Sequence, residues 1–256
     1  MVKFDYTEAD IITSLKNVGI KSGDNVFIHS NLGFFGSLFG ARNKYDYYLT
    51  FKNAIQTVIG DLGTFIVPTF SYSFFNSEIY DKSNTKSVCG AFSEFVRDDS
   101  SSIRSNDANF SICAIGYNKK YFALNSPEHS FGDNSFWDKL YKNKGKICNF
   151  NFDSGSTFIH YVERCLNVPY RYDKKFEGYS RNGTQLDKEK YYHFVSDLDD
   201  NRVRPNFTKF DLKAKEMGLS VTSNLGKGQI VCISAVDTFD LIKSELKIDD
   251  TFIING

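Results

Sequence analysis

Two short apolar runs, each entered from a turn and left through a loop, constrain this chain more than any other feature. Asn25-Val-Phe-Ile-His29 follows the turn Lys21-Ser-Gly-Asp24, and Thr64-Phe-Ile-Val-Pro68 follows Asp61-Leu-Gly63. A helical stretch, roughly Tyr45 to Ile59, lies between them. Apolar runs bounded by turn signals read as buried strands. Strand, helix and strand in succession imply a parallel sheet with helices packed on it. Ligands of such sheets gather at the carboxyl ends of the strands, and His29, Ser30, Thr69 and Ser71 occupy those ends.

The same reading extends along the chain. Thr7 to Gly19 is an amphipathic helix with Thr7 as N-cap, Asp10 at the capping-box position and Gly19 as the stop. Further helices are expected at Gly90–Arg97, Lys119–Leu124, before Tyr141, at Phe207–Gly218 and at Val236–Leu246. Further strands are expected at Ile112–Ile115, Ile147–Phe152, Leu219–Thr222 and Gln229–Ile233, the last two flanking the turn Gly226-Lys-Gly228. Residues 173–204 are polar, aromatic and acidic, and read as an inserted flap with a β-hairpin around Gly178 to Gly183. There is no internal repeat and no clear linker, so residues 1–256 are expected to form one domain.

Composition removes several functions. Formal net charge is zero, with 31 basic and 31 acidic residues, which gives no footprint for nucleic acid or a charged membrane surface. No window approaches the ~20 apolar residues of a membrane span. The N-terminus lacks an apolar signal core. The five cysteines are scattered without a Cys-x-x-Cys, and Cys113, Cys148 and Cys232 sit in apolar runs as small buried residues. A reducing cytoplasm is the expected compartment. The four histidines have no metal-ligand spacing, and His129 and His193 lie in polar segments that read as solvated.

The densest group of reactive side chains is Ser154-Gly-Ser-Thr-Phe-Ile-His-Tyr-Val-Glu163. Ser156 or Thr157 is expected to cap a helix on which His160 and Glu163, three apart, share a face. A histidine beside a carboxylate suits a general base, although a structural hydrogen-bonding role fits these residues as well. The glycine-rich loop Ser30 to Gly40 could cradle phosphate with backbone N–H groups. It matches neither Gly-x-Gly-x-x-Gly nor the Walker pattern. Without a Gly-x-Ser-x-Gly elbow an α/β-hydrolase is disfavoured.

Taken in order, these blocks resemble the aminoglycoside 3-N-acetyltransferase family, from about Thr7 to Ile254. Gly23-Asp-Asn-Val-Phe-Ile-His-Ser-Asn-Leu32 is similar to the family's strand and His-Ser-x-Leu loop. Gly60-Asp-Leu-Gly-Thr-Phe-Ile-Val-Pro-Thr-Phe-Ser71 resembles its Pro-Thr-x-Ser block, Arg104-Ser105 with Ser111 its arginine–serine block, and Thr157-Phe-Ile-His-Tyr-Val-Glu163 its Thr-x-x-His-x-x-Glu. Gly226-Lys-Gly228 resembles a late glycine turn. The resemblance implies an α/β fold, a layered α/β/α sandwich with a largely parallel central sheet and the inserted flap. It also implies acetyl coenzyme A as co-substrate, with no metal. His160 would deprotonate the acceptor amine and Glu163 would support it. On chemical grounds the thioester oxyanion also needs donors, which hydroxyls or N–H groups at Ser71 and Thr157 could supply. The coenzyme site would fall on His29, Ser30, Asn31, Leu32, Gly33, Phe35, Gly36, Thr69, Ser71, Arg104, Ser105 and Ser111.

Two departures bear on the substrate. The His-Pro of the arginine–serine block is Asp107-Ala108 here. The acidic residue that commonly follows the Pro-Thr block is missing from Ser71-Tyr-Ser-Phe74. Tyr72 and the acidic segment Asp197, Asp199 and Asp200 are the candidate acceptor contacts, a solvated acidic turn being the other reading of that segment. The expected activity is acetyl-CoA-dependent N-acetylation of an amino sugar, either a nucleotide-linked amino sugar of surface polysaccharide synthesis or an aminoglycoside. Transfer would be direct within a ternary complex. A non-catalytic coenzyme-A-binding protein and an acyl-CoA thioesterase are the alternatives, and a homodimer is left open.

Overall fold

The computed structural model describes residues 4–255 apart from Leu198, with the backbone alone of Asn182. In chain order the elements are α1 (Glu8–Asn17), β1 (Asn25–Ser30), a 3-10 turn (Leu32–Phe35), α2 (Lys44–Ile59), β2 (Thr64–Pro68), β3 (Tyr80–Asp81), α3 (Ala91–Asp98), β4 (Ile103–Arg104) and β5 (Ile112–Gly116). Then come α4 (Lys119–Ala123), α5 (Phe136–Lys142), β6 (Lys146–Phe150), α6 (Phe158–Cys165), β7 (Arg171–Asn182), β8 (Gln185–Ser196), a second 3-10 turn (Asn201–Val203), α7 (Thr208–Glu216), β9 (Val221–Leu225), β10 (Gly228–Ser234) and α8 (Ala235–Glu245).

Side-chain alternation along the strands builds the layers. Val26, Ile28, Phe65, Val67, Cys148 and Phe150 face one core with α1, α2 and α3. Phe27, Ile66, Ala114, Ile147 and Ile233 face a second core with α5, α6, α7 and α8. Helices thus cover both faces of a seven-stranded sheet of order β4-β5-β2-β1-β6-β10-β9. The layered α/β/α class stands. Parallel pairing, however, is confined to the centre, where β1 pairs with β2 and with β6. The outer pairs β2–β5, β4–β5, β6–β10 and β9–β10 are antiparallel. The sheet is therefore mixed.

Local chemistry explains the boundaries. Thr7 and Asp10 form the expected capping box on α1, with the Thr7 N–H to Asp10 Oδ2 at 2.8 Å. Asn43 and Asp46 form another on α2, which moves that helix start one residue earlier than the apolar periodicity suggests. Each such cap stabilises a helix by about 1 kcal/mol. The late glycine turn has a specific cause. Gly226 has φ +54°, and a Cβ there would lie 2.2 Å from the Phe35 carbonyl oxygen. That oxygen accepts the Lys227 N–H at 3.0 Å, so the turn docks on the loop after β1.

The hairpin is longer than the sequence suggests. β7 and β8 pair over their whole length, from Arg171↔Ser196 to Asn182↔Gln185, with Gly183 (φ +61°) in the connecting turn. Gly178, expected near a turn, is in the strand interior. Its missing Cβ makes room for the Phe74 ring, which would stand 2.4 Å away. With β3 the hairpin makes a three-stranded sheet anchored by Phe74, Tyr80, Ala108 and Tyr191.

Candidate active site

The site assembles where β1, β6 and α6 meet. β6 ends at Phe150, and the chain turns through Asn151 (φ +63°) into Ser154-Gly-Ser-Thr157 and then α6. The expected side-chain cap is absent. Thr157 is helical in backbone and caps nothing, and the Ser156 hydroxyl is buried without a hydrogen-bond partner. The helix instead starts on backbone bonds from Ile159 N to Ser156 O and from His160 N to Thr157 O. From the other side the Asp211 carboxylate accepts the Gly155 N–H at 2.8 Å. Phe207 packs where a Gly155 Cβ would stand, 2.7 Å away.

One turn into α6, His160 Nδ1 lies 2.6 Å from Glu163 Oε2. Glu163 is 0% exposed, whereas a fifth of the His160 side chain remains accessible. Burial alone would raise the Glu163 carboxyl, but His160 and Arg171 outweigh it and hold the group below the usual carboxylate range. An ionised carboxylate only accepts hydrogen bonds, so Nδ1 donates to it and Nε2 is the nitrogen left to face the acceptor. Phe131 and Phe207 flank the imidazole, with ring centroids 5.9 and 6.2 Å away.

His29 closes the end of β1. Its Nδ1 is 3.1 Å from Asn149 Oδ1, and the Asn149 amide nitrogen donates to the carbonyls of Asp153 and Gly155. Those two acceptors fix the amide orientation. His29 therefore donates from Nδ1, which leaves Nε2 as an acceptor. Burial pushes the ring down to about 4, against the Asn149 hydrogen bond, so the imidazole is neutral. Asn149 thereby ties the lead-in of the His160 helix to the loop after β1.

A cavity of about 690 Å³ opens between these parts. Of the expected coenzyme residues it is lined by His29, Ser30, Asn31, Leu32, Gly33 and Gly36, and Thr157 joins them from the residue before α6. The Ser30 hydroxyl is buried without a partner. Periodicity gave no sign of the opposite wall, which comprises Lys44, Tyr47 and Tyr48 of α2, the Val88-to-Phe92 segment and Phe95 of α3, with Phe152 nearby. Among the described residues Lys44 is the one formally charged side chain on this lining, and no carboxylate among them lines it. α3 opens on Gly90 without a capping side chain.

Other expected contacts are corrected by what holds them. Phe35 is 0% exposed and packs into the core against Tyr6, Phe51 and Phe150, so it does not reach the cavity. Arg104 is buried, with its guanidinium spent on the carbonyls of Thr69 (2.8 Å), Lys82 and Thr85 and on Ser111 Oγ (3.1 Å). Ser111 donates to the Thr69 carbonyl at 2.6 Å, Thr69 Oγ1 lies 3.2 Å from Ser111 Oγ, and Ser105 accepts the Ile112 N–H. Thr69, Arg104, Ser105 and Ser111 thus tie β2 to the arginine–serine loop and do not line the cavity. The Ser71 hydroxyl donates to the Ala108 carbonyl at 2.8 Å, which removes it as an oxyanion donor.

Asp107, at the position of the His-Pro departure, takes over the loop geometry. Its carboxylate accepts the N–H groups of Asn109 and Phe110 and the Ser130 hydroxyl. Tyr72 is half-buried at φ +54°, its ring parallel to Phe75 at 5.8 Å. Asp200 caps the second 3-10 turn and pairs with Arg202 at 2.7 Å, and Asp199 lies exposed beside it. Neither borders the cavity. His193 is not solvated. It is 1% exposed, with Nε2 2.7 Å from Asn109 Nδ2, and His129 pairs with Asp173 at 2.8 Å. No helix among the described residues is long and apolar enough to cross a membrane.

The sequence matches a family described as aminoglycoside 3-N-acetyltransferase over residues 27–247. The fold is similar to the structure "AAC-IIIb binary with CoASH" at 18% identity and TM-score 0.80, covering 94% of this chain and 97% of that one. "AAC-VIa bound to Sisomicin" is 18% identical with TM-score 0.79, over 95% and 98% of the two chains. The YokD protein from Bacillus subtilis is 19% identical with TM-score 0.76, over 94% and 98%. No curated protein sequence matches the chain.

Proposed function

Because the chain belongs to the aminoglycoside 3-N-acetyltransferase family, a class of acyltransferase, we propose that it moves the acetyl group of acetyl-CoA to the amine of an amino sugar, with His160 as general base. The observation that carries this reading is the His160–Glu163 pair one turn beyond Thr157, the residue just before α6 that lines the cavity. An ammonium is not a nucleophile, so the acceptor must lose a proton before or during attack. Nε2 of His160 is free to take it, and an ionised Glu163 stabilises the imidazolium that results.

The residues around the cavity fit the coenzyme, which supplies an activated acyl carbonyl when bound. The neutral His29 ring offers a fixed acceptor, the Ser30 hydroxyl lacks a partner, and Thr157 presents a hydroxyl beside the base. A helix N-terminus with a cation beside it suits phosphate, and Lys44 is the first residue of α2. Lys44→Ala is accordingly expected to raise KM for acetyl-CoA about 5–30-fold and to leave kcat nearly unchanged, as loss of one charge-assisted contact of about 1–2 kcal/mol implies. Acetyl-pantetheine, which has no phosphate, should show no such change in the variant. An equal KM rise for both donors would remove Lys44 from phosphate binding.

The missing acidic residue after the Pro-Thr block, where this chain reads Ser71-Tyr-Ser-Phe74, favours an acceptor with a single amine, such as a nucleotide-linked amino sugar. A polycationic aminoglycoside calls for several carboxylates around it. Thiol release from acetyl-CoA, measured across a panel of amino sugars, nucleotide-linked amino sugars and aminoglycosides, tests both statements. Amine-dependent release is expected, fastest with single-amine acceptors. Saturable coenzyme binding with no release on any amine would make this a binding protein instead.

A further inference from the structure

The segment Val168-Pro-Tyr-Arg171, which follows α6, enters the chemistry described so far only through the hold of Arg171 on the Glu163 carboxyl. Arg171 begins β7, and only 5% of its side chain is exposed. Its Nε lies 2.8 Å from Glu163 Oε2, the same oxygen that accepts from His160 Nδ1. Nη1 donates to the Phe194 carbonyl on β8 at 3.2 Å, which fixes the guanidinium to the hairpin. One carboxylate oxygen is therefore shared between a titratable imidazole and a cation that stays charged.

We propose that Arg171 is a positioning residue that neutralises Glu163, so that His160 rests as an unprotonated base. The charge count shows why. With Arg171 present, neutral His160, anionic Glu163 and cationic Arg171 sum to zero before any proton arrives. Without it, a buried carboxylate beside a neutral imidazole leaves a net negative charge in a poorly solvated site. Such a pair takes up a proton from solvent and comes to rest as imidazolium and carboxylate. The base would then be occupied before the acceptor amine binds. In the intact cluster the acceptor's proton passes to His160 Nε2 and no other bond changes in that step.

The groups facing this cluster are few. α6 supplies His160 and Glu163, and the start of β7 supplies Tyr170 and Arg171. Burial, followed by the Glu163 charge, pushes the Tyr170 hydroxyl far up, and Asp250 acts on it from beyond. Tyr170 therefore stays neutral, and Arg171 is the permanent charge in contact with Glu163 among the described residues.

The proposal rests on His160 being the base, and the experiment separates the two. The pH profile of kcat/KM is recorded for the intact chain and for Arg171→Met, Arg171→Lys and His160→Ala. Arg171→Met is expected to move the acidic limb upward by about 1–2 pH units, the size of shift a neighbouring charge produces. At pH 6 that is a loss of about 10–100-fold, recovered at high pH. Arg171→Lys, which keeps the charge, should hold the limb near its original place. A loss uniform with pH in Arg171→Met, or an unmoved profile, would overturn the role of Arg171 while His160→Ala stays inactive. Should Arg171→Met not fold, an upward displacement in Arg171→Lys as large as 1–2 units would overturn it equally. Retained turnover in His160→Ala would instead sink the reading on which the proposal stands.

Discussion

His160→Ala is expected to lower kcat for amine acetylation by about 10²–10⁴-fold, the range that loss of a positioned general base produces. Coenzyme binding by calorimetry should stay within about twofold, because His160 does not line the cavity that would hold the coenzyme. The fold should tolerate the change. A fifth of the imidazole is accessible, and its ring contacts with Phe131 and Phe207 are 5.9 and 6.2 Å between centroids. Glu163 would lose one partner and keep Arg171 at 2.8 Å, so the buried carboxylate is not left alone. Activity that rises with pH in the variant, as the free amine itself becomes populated, would be the residual of binding and orientation.

Phe35→Ala is expected to destabilise the fold by about 3–5 kcal/mol, as deletion of a fully buried aromatic side chain does. The ring is 0% exposed, stacks on Phe51 at 5.7 Å and meets Tyr6 and Phe150 edge-on. Removing it opens a void under the loop that carries Asn31, Leu32 and Gly33. A rise in coenzyme KM would then follow through loosening of that loop. Urea unfolding separates this from direct contact, since a ligand-contacting Phe35 would raise KM at unchanged midpoint. The resemblance to the family placed Phe35 among coenzyme residues, and its burial places it in the core.

That contrast shows what was legible in the sequence. The paired strands at Asn25 and Thr64 carried enough periodicity to give the sheet centre and the helices beside it. The tight turn Gly226-Lys-Gly228 implies antiparallel β9 and β10, but chain position alone does not show that β5 runs against β2 or β10 against β6. The spacing of His160 and Glu163 placed them on one face, and they meet at 2.6 Å. The resemblance places Arg104 among the coenzyme residues because a sequence shows a charge and not its partners. The carbonyls of Thr69, Lys82 and Thr85 come from other segments. Lys44 and Arg171 show the converse, since each gains its meaning from a contact that spacing does not display, Lys44 on the cavity wall and Arg171 at Glu163 and Phe194. The capping pair Asn43 and Asp46 was a signal that would have fixed the start of α2 and drawn attention to Lys44 beside it.

The most direct test follows a 13C label on the acetyl carbonyl of acetyl-CoA by NMR, with and without an amino-sugar acceptor, in the intact chain and in His160→Ala. The account predicts an amide signal on the acceptor nitrogen, equimolar with released thiol, that requires both the acceptor and His160. Labelled acetate formed at the same rate without acceptor, or label bound to the protein and chased onto the amine later, would contradict direct transfer by this base.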